Sequence, residues 1–560
     1  MGESKPGLFA REATGLVREV GFMLGVIIIM SHVVGLGWQK RAFQFTGPRP
    51  VPTDQLPLGL PAIFWAFLIC GLIVMITGYA AGYVTAAMPR SGGGYVTISR
   101  VIHPVVGYNA GWLMFLAEAF SYGLIGVAVF EAIMIFFNIA GVAISFDATT
   151  LFIGGVVIIV IFTALALFGV RLYGWLMHAM FWPTLVITIA FFAMWIAGAM
   201  DPSVVSAGVE SALGAQPSVF MDQAIGTGMT DPANVSTFYD AFSFALAGAF
   251  WAYMGWYSVT FIAGEVKEAN KKLPMVVLVS GLLIMLVYLG ASSFSAVSTM
   301  GVAKTADGQW SFFQSYSWLS YGPLTDAQIA ARDAAIPNFQ SAWSTGIASI
   351  IAQGLDLGWL SLLIAVAGVI WLANDIPPFL LVASRTLFAM SFDKMMPEKI
   401  AEVSERWHSP TWAVIITGIF GILGCIAESN VGKLGGYVQF AGVVGTDIFD
   451  AVFLTLFCVS MMLLPLERKE IYDRAAVKYS IGTVVGLGAI ASLLAGYCLF
   501  TFVKESVSFM FSPSGTADLV SSIGFWGCII VGILLYVYHM YRNTTKGVDM
   551  RTLYLSIPPE

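Results

Sequence analysis

The sequence predicts an all-α integral membrane protein of twelve transmembrane helices, and three observations carry that prediction. Of 560 residues, 58% are hydrophobic and only 11% are charged, less than half the ~25% charge of a soluble protein. The apolar residues gather into runs of the roughly 20 residues a helix needs to cross the hydrocarbon core. Charges fall almost wholly between those runs. A soluble protein is therefore excluded. With Lys plus Arg at 27, Asp plus Glu at 33, a net charge of -6 and no basic block, so is a nucleic-acid binder. The partner surface is lipid.

The twelve runs cover approximately 19–38, 58–87, 105–139, 149–169, 173–199, 240–262, 274–299, 357–386, 411–427, 434–464, 479–503 and 519–541. The first follows Lys5, Arg11 and Arg18 and has no small-residue cleavage site after it, so it reads as an uncleaved span rather than a signal peptide. Placing both termini in the cytoplasm leaves only Lys40, Arg41, Arg49, Lys304, Arg332, Lys433 and Lys504, seven of the 27 basic residues, outside. That bias fixes the orientation. The chain then divides into a cytoplasmic tail 1–18, spans 1–5 over 19–199, an outer loop 200–239, spans 6–10 over 240–464 with a second outer loop 300–356, spans 11 and 12 over 479–541, and a cytoplasmic tail 542–560. Both outer loops read as polar and rich in Ser, Gly and Asp. The five cysteines, Cys70, Cys425, Cys458, Cys498 and Cys528, all lie inside apolar runs without the spacing of a metal site, and no cofactor is expected.

Two spans are weakened at comparable places. The first carries Ser31-His32-Val33-Val34-Gly35-Leu36-Gly37, and each Gly costs a helix about 1 kcal/mol relative to Ala. The sixth carries Phe250-Trp251-Ala252-Tyr253-Met254-Gly255-Trp256-Tyr257-Ser258. The two lie five spans apart with opposite orientation, as corresponding members of two inverted halves. Paired broken helices of this kind are the best sequence pointer to a transport site at the membrane midplane. Exposed N–H groups at a half-helix N-terminus suit a carboxylate, and free carbonyls suit an ammonium or a cation, so a zwitterion fits both.

The loops add a resemblance. Met88-Pro89-Arg90-Ser91-Gly92-Gly93-Gly94-Tyr95, Gly264-Glu265-Val266-Lys267 up to Pro274, and Arg385 with Phe392-Asp393-Lys394-Met395-Met396-Pro397 follow one another in the order seen in the amino acid-polyamine-organocation (APC) permeases. The chain resembles that family over about 20–545. The resemblance implies the LeuT-type fold, two inverted repeats of five helices plus two C-terminal helices. It also implies that Gly35, Leu36 and Gly37 meet a substrate carboxylate, although Leu36 stands where a small residue is usual. Phe250, Trp251, Ala252, Tyr253 and Gly255 would complete the binding site, with Trp256 and Tyr257 just beyond. Some relatives carry an acid where Tyr257 stands, so the resemblance favours a neutral or aromatic substrate over a cationic one.

A charge at the bilayer centre costs at least ~2.5 kcal/mol, which makes each buried ionisable residue a functional suspect. Glu118 falls in the third span, Asp375 in the eighth, Asp447 and Asp450 in the tenth, and His32 and His178 in the first and fifth. Asp375 stands out because Asn374-Asp375-Ile376-Pro377-Pro378 sets it at a double proline, where missing N–H groups free carbonyls. Asp375, Asn374, His32 and Glu118 are the candidate coupling residues. No Ser or Thr occurs from Leu362 to Ala383 and no Lys occurs in the fifth span, so neither the sodium nor the lysine arrangement of relatives is reproduced. The expectation is a secondary transporter of an amino acid or related amine, driven by proton symport. A sodium symporter, an exchanger and a non-transporting sensor of the same fold remain alternatives. Catalytic constellations such as H-E-x-x-H are absent, and no enzyme is expected.

Overall fold

The computed structural model describes residues 8–139, 142 and 144–559; Lys5 and the rest of 1–7 lie outside the described residues. Helices dominate, and among the described residues there is no sheet, only isolated bridges of Val20 with Val266 and of Ser91 with Ile262. The first expected span is divided into α1 (Phe22–Val33) and α2 (Leu36–Gln44). It is followed by α3 (Ala62–Ala87), a short α4 (Gly93–Val101), α5 (Pro104–Ile139), α6 (Ala148–Ala166) and α7 (Gly169–Met200). Helices α8 (Pro202–Leu213) and α9 (Pro217–Gly226) lead to α10 (Phe238–Tyr253) and α11 (Ala269–Met300). After α12 (Phe312–Tyr321), α13 (Asp326–Ala335) and α14 (Ser344–Gly354) come α15 (Gly358–Phe392), α16 (Thr411–Ser429), α17 (Val443–Glu467), α18 (Lys469–Arg474), α19 (Ile481–Phe511), α20 (Thr516–Thr545) and α21 (Met550–Leu555).

Counting α1 with α2 as one, eleven of the twelve expected spans are long and apolar enough to cross a membrane. The expected span 240–262 is α-helical only in α10, 16 residues or about 24 Å at 1.5 Å per residue. That falls short of the ~30 Å hydrocarbon core. The chain continues as 3₁₀ turns at Ser258–Phe261 and Ala263–Glu265. By contrast α15 runs unbroken through Pro377 and Pro378. The two prolines leave the carbonyls of Ala373 and Asn374 without helical donors in a stretch that is densely buried.

The two outer loops are not loops. They fold into α8, α9, α12, α13 and α14, each too short for a span, and three of them are capped by side chains. Asp201 accepts from the Ser203 N–H, and Ser311 with Gln314 and Thr325 with Gln328 form capping boxes. Their polar composition hides narrow apolar stripes, such as Val205, Val209 and Leu213 of α8, which are buried. Helix α14 is buried along most of its length and packs on α7, α8 and α15.

Both described ends of the chain gather at the opposite face, called here the terminal face. Ala10 N–H donates to the Phe392 carbonyl (3.0 Å) and Val20 N–H to that of Glu265 (2.9 Å). The C-terminal segment is docked: Arg90, Arg100 and Arg468 donate to the carbonyls of Pro558, Ser556 and Leu555 at 2.6, 3.4 and 2.8 Å. Two buried two-toothed ion pairs reinforce the same face. Arg100 grips Asp393 at 2.6 and 2.8 Å, and Arg385 grips Glu265 at 2.8 and 3.1 Å.

Candidate functional site

The break in the first span begins where Val34 (φ -83°, ψ 61°) leaves the helix. Gly35 is the N-cap of α2 and offers no side chain to the N–H groups that open that helix. A Cβ on Gly35 would collide with the Asp375 carboxyl, striking Oδ2 and lying 2.8 Å from Cγ. At Gly37 it would lie 2.7 Å from both the Ala252 Cβ and the Tyr288 hydroxyl. Glycine is required at both places because the two broken helices and α15 approach through them. The backbone of Leu36 opens α2, while its side chain lies outside what is described.

In the second break Gly255 has φ 91°, a left-handed conformation that disfavours a side chain. A Cβ there would also lie 2.7 Å from the His32 ring. The N–H groups of Met254, Trp256 and Ser258 are spent on the carbonyls of Trp251, Tyr253 and Gly255. Tyr288 of α11 fastens the two breaks together: its hydroxyl lies 2.6 Å from the Ala252 carbonyl and also contacts that of Val33.

Between the breaks lies a narrow cavity lined by His32, Gly37, Glu118, Trp251, Ala252, Gly255 and Asp375, together with Ser121, Phe379, Thr446, Asp447 and Asp450. His32 Nε2 is 3.3 Å from Glu118 Oε2, and its ring stands edge-on to Phe379 with centroids 4.2 Å apart. Asp450 accepts a hydrogen bond from the Tyr257 hydroxyl. On the side away from the terminal face, Trp251 carries the Arg41 guanidinium 3.7 Å over its ring, and Arg41 also donates to Gln44 (2.6 Å).

Not every expected residue reaches the cavity. One face of α10 turns inward with Trp251 and Ala252, and Gly255 follows in the break. Phe250 instead packs on Tyr497 and Phe502 of α19, and Tyr253 donates to the Phe67 carbonyl at 3.0 Å. Trp256 packs against Tyr257 and crowds Gly78 on α3. Asn374 donates to the Ser31 hydroxyl (2.7 Å), tying α15 to α1 rather than lining the cavity. His178 accepts from Trp182 on a partly exposed face of α7. Tyr288 is not among the residues expected at the site, although one phenol in the otherwise aliphatic run Leu282–Leu289 is a visible signal.

Comparison with known proteins accords with this architecture. The family model described as amino acid permease matches residues 23–535. The b(0,+)-type amino acid transporter 1 of Mus musculus is 21% identical over 279 residues, 50% of this chain and 51% of that protein, so that alignment spans about half of the relative. The cystine/glutamate transporter of Homo sapiens is 20% identical, covering 80% of this chain and 76% of its own. The methylthioribose transporter of Bacillus subtilis (strain 168) is 21% identical, covering 86% and 87%. On a match that runs through nearly all of its helices, this multi-pass membrane chain belongs to the amino acid permease family of transporters.

Proposed function

We propose that the protein is a secondary active transporter that carries an amino acid or related amine across the cell membrane by alternating access, with proton symport as the driving reaction. The single observation that carries this reading is that both helix breaks open onto one cavity holding Asp375, Glu118 and His32. Residues 19–199 and 240–464 then act as the inverted repeats, with 479–541 as two added helices and both termini in the cytoplasm. The bundle of α1, α2, α3, α10 and α11 rocks against α5, α6, α15 and α16, hinged at the breaks. Trp251 closes the outer side, and the ion pairs of the terminal face close the inner.

Substrate sits among Gly35, Leu36, Gly37, Trp251, Ala252 and Gly255, while Asp375, Glu118 and His32 exchange the coupling proton. Asn374 holds Asp375 in place through Ser31. Sodium fits poorly, since the Ser31 hydroxyl is engaged by Asn374 and the facing stretch of α15 lacks hydroxyls. Uptake into proteoliposomes under a pH gradient or a sodium gradient tests the reading. Stimulation by the pH gradient is expected, and strict sodium dependence without a pH response overturns it.

A further inference from the structure

The cavity contains a mismatch between what a helix break offers and what occupies it. A helix N-terminus exposes N–H groups and a partial positive charge, the natural seat of a carboxylate. The N-terminus of α2 is a seat of that kind at this site, and in the second break the N–H groups of Met254, Trp256 and Ser258 are engaged within their own turn. That seat is taken. The Asp375 carboxyl lies directly against the N-cap Gly35, so close that no Cβ fits between them.

The remaining lining is also wrong for an anion. Glu118, Asp375, Asp447 and Asp450 are carboxyls, and no Lys or Arg appears among the described residues that line the cavity. The outer cation Arg41 is held by Gln44 and the Trp251 ring, though its buried Nε has no hydrogen-bond partner among the described residues. Asp375 and Glu118 are each only 3% exposed and His32 2%. Asp375 Oδ1 and His32 Nδ1 nevertheless lack hydrogen-bond partners among the described residues, while His32 Nε2 and Glu118 Oε2 have only each other, at 3.3 Å. Buried polar groups are ordinarily paired, so unpaired ones aimed into a cavity mark the place of an absent partner. Tyr288 points the same way: its single hydroxyl proton faces two carbonyls, those of Val33 and Ala252, and can serve one at a time. Because the Val33 carbonyl also accepts from the Gly35 N–H (2.9 Å), it is the Ala252 carbonyl that is left for an N–H donor when the hydroxyl turns to Val33.

We infer that the substrate is a cationic amine without an α-carboxylate, the Asp375 side chain supplying within the protein the carboxylate that an amino acid would bring. Its ammonium group sits between Asp375 and Glu118, and Trp251 and Phe379 flank its carbon chain. This rests on the transporter reading above and narrows its substrate class. It reverses the preference for a neutral substrate drawn from Tyr257, because Tyr257 is bound to Asp450 and a carboxyl stands at that place after all.

The test uses the full-length protein in proteoliposomes and pairs of compounds that differ only by the α-carboxylate: agmatine with arginine, cadaverine with lysine, 2-phenylethylamine with phenylalanine. Saturable uptake of at least one amine is expected, with its amino acid partner competing tenfold or more weaker. In Asp375→Ala, read as ligand binding by thermal shift of the purified protein because coupled uptake needs Asp375, the order in that pair is expected to reverse by opening the α2 N-terminus to a substrate carboxylate. Should the variant not fold, the wild-type pairs decide alone. Saturable uptake of the amino acids at equal or better affinity overturns the inference and leaves the transporter reading intact. No saturable uptake of any pair member, under either gradient, overturns both.

Discussion

At the terminal face, Arg385 holds Glu265 and Arg100 holds Asp393 through two hydrogen bonds each, in pairs that are almost fully buried. Ten residues back along α15, about 15 Å at helical rise, Asp375 is equally buried and has an oxygen with no hydrogen-bond partner among the described residues. The two regions share a helix, a degree of burial and a charge type. They differ in whether the chain supplies the countercharge. Where it does, the charges act as a closure that the protein completes alone. Where it does not, a mobile species must complete the site, and the carboxyls are available to bind it.

Gly35→Leu probes the unpaired region most severely. The side chain would drive into Asp375, so substrate binding is expected to vanish while insertion and expression persist; unchanged uptake would remove the site from this break. Arg385→Ala attacks the paired region. Leaving Glu265 buried and uncompensated should cost about 3–5 kcal/mol, read as a large fall in the thermal midpoint of the purified protein. Glu118→Gln serves as its counterpart. An amide in place of a carboxyl that faces only the His32 ring, at 3.3 Å, should leave stability within about 1 kcal/mol of wild type, while the response of uptake to a pH gradient is lost. If Glu118→Gln destabilised as strongly as Arg385→Ala, the distinction between the two regions would fail.

Smaller effects sharpen the boundary. Asn374→Ala removes one buried hydrogen bond to Ser31 and should cost about 0.5–1.5 kcal/mol, with substrate affinity nearly unchanged because Asn374 does not face the cavity. The weakest case lies at the docked tail. The N–H and hydroxyl of Thr552 bind Asp549 and hold its carboxyl below the usual range. A depressed carboxyl contributes stability above its ordinary titration range and loses it as pH falls through the folded value. Protection of 550–555 from hydrogen exchange should therefore weaken on acidification, and Asp549→Asn should remove that pH dependence.

Most of the fold was legible because a bilayer imposes a length: eleven runs of about 20 apolar residues became helices of the expected kind. The breaks were legible too, since Gly35, Gly37 and Gly255 interrupt otherwise apolar stretches. The helices within 200–239 and 300–356 were not, because each is shorter than a span and sits in a stretch of polar overall composition. The choice of Trp251 over Phe250 and Tyr253 as a cavity residue depends on the rotation of α10, which composition does not encode. The pairing of Tyr257 with Asp450 joins residues 193 apart in the chain, and single-sequence periodicity carries no information at that distance. Asp375 was conspicuous from its setting alone; that it covers Gly35 is a fact of packing.

The docked C-terminal segment bears on synthesis. Arg90 waits for Pro558, which emerges 468 residues later, and at ~5–20 residues per second that interval is on the order of half a minute or more. Throughout it the loop of Arg90 and Arg100, already threaded beside the membrane, lacks the carbonyls that finish it. A nascent chain stalled short of residue 555 would carry the membrane helices through α20 and the Arg100–Asp393 pair, yet lack the carbonyls of Leu555, Ser556 and Pro558 that Arg468, Arg100 and Arg90 also hold. The segment 555–558 is thus registered far from the last span, against residues made near the start.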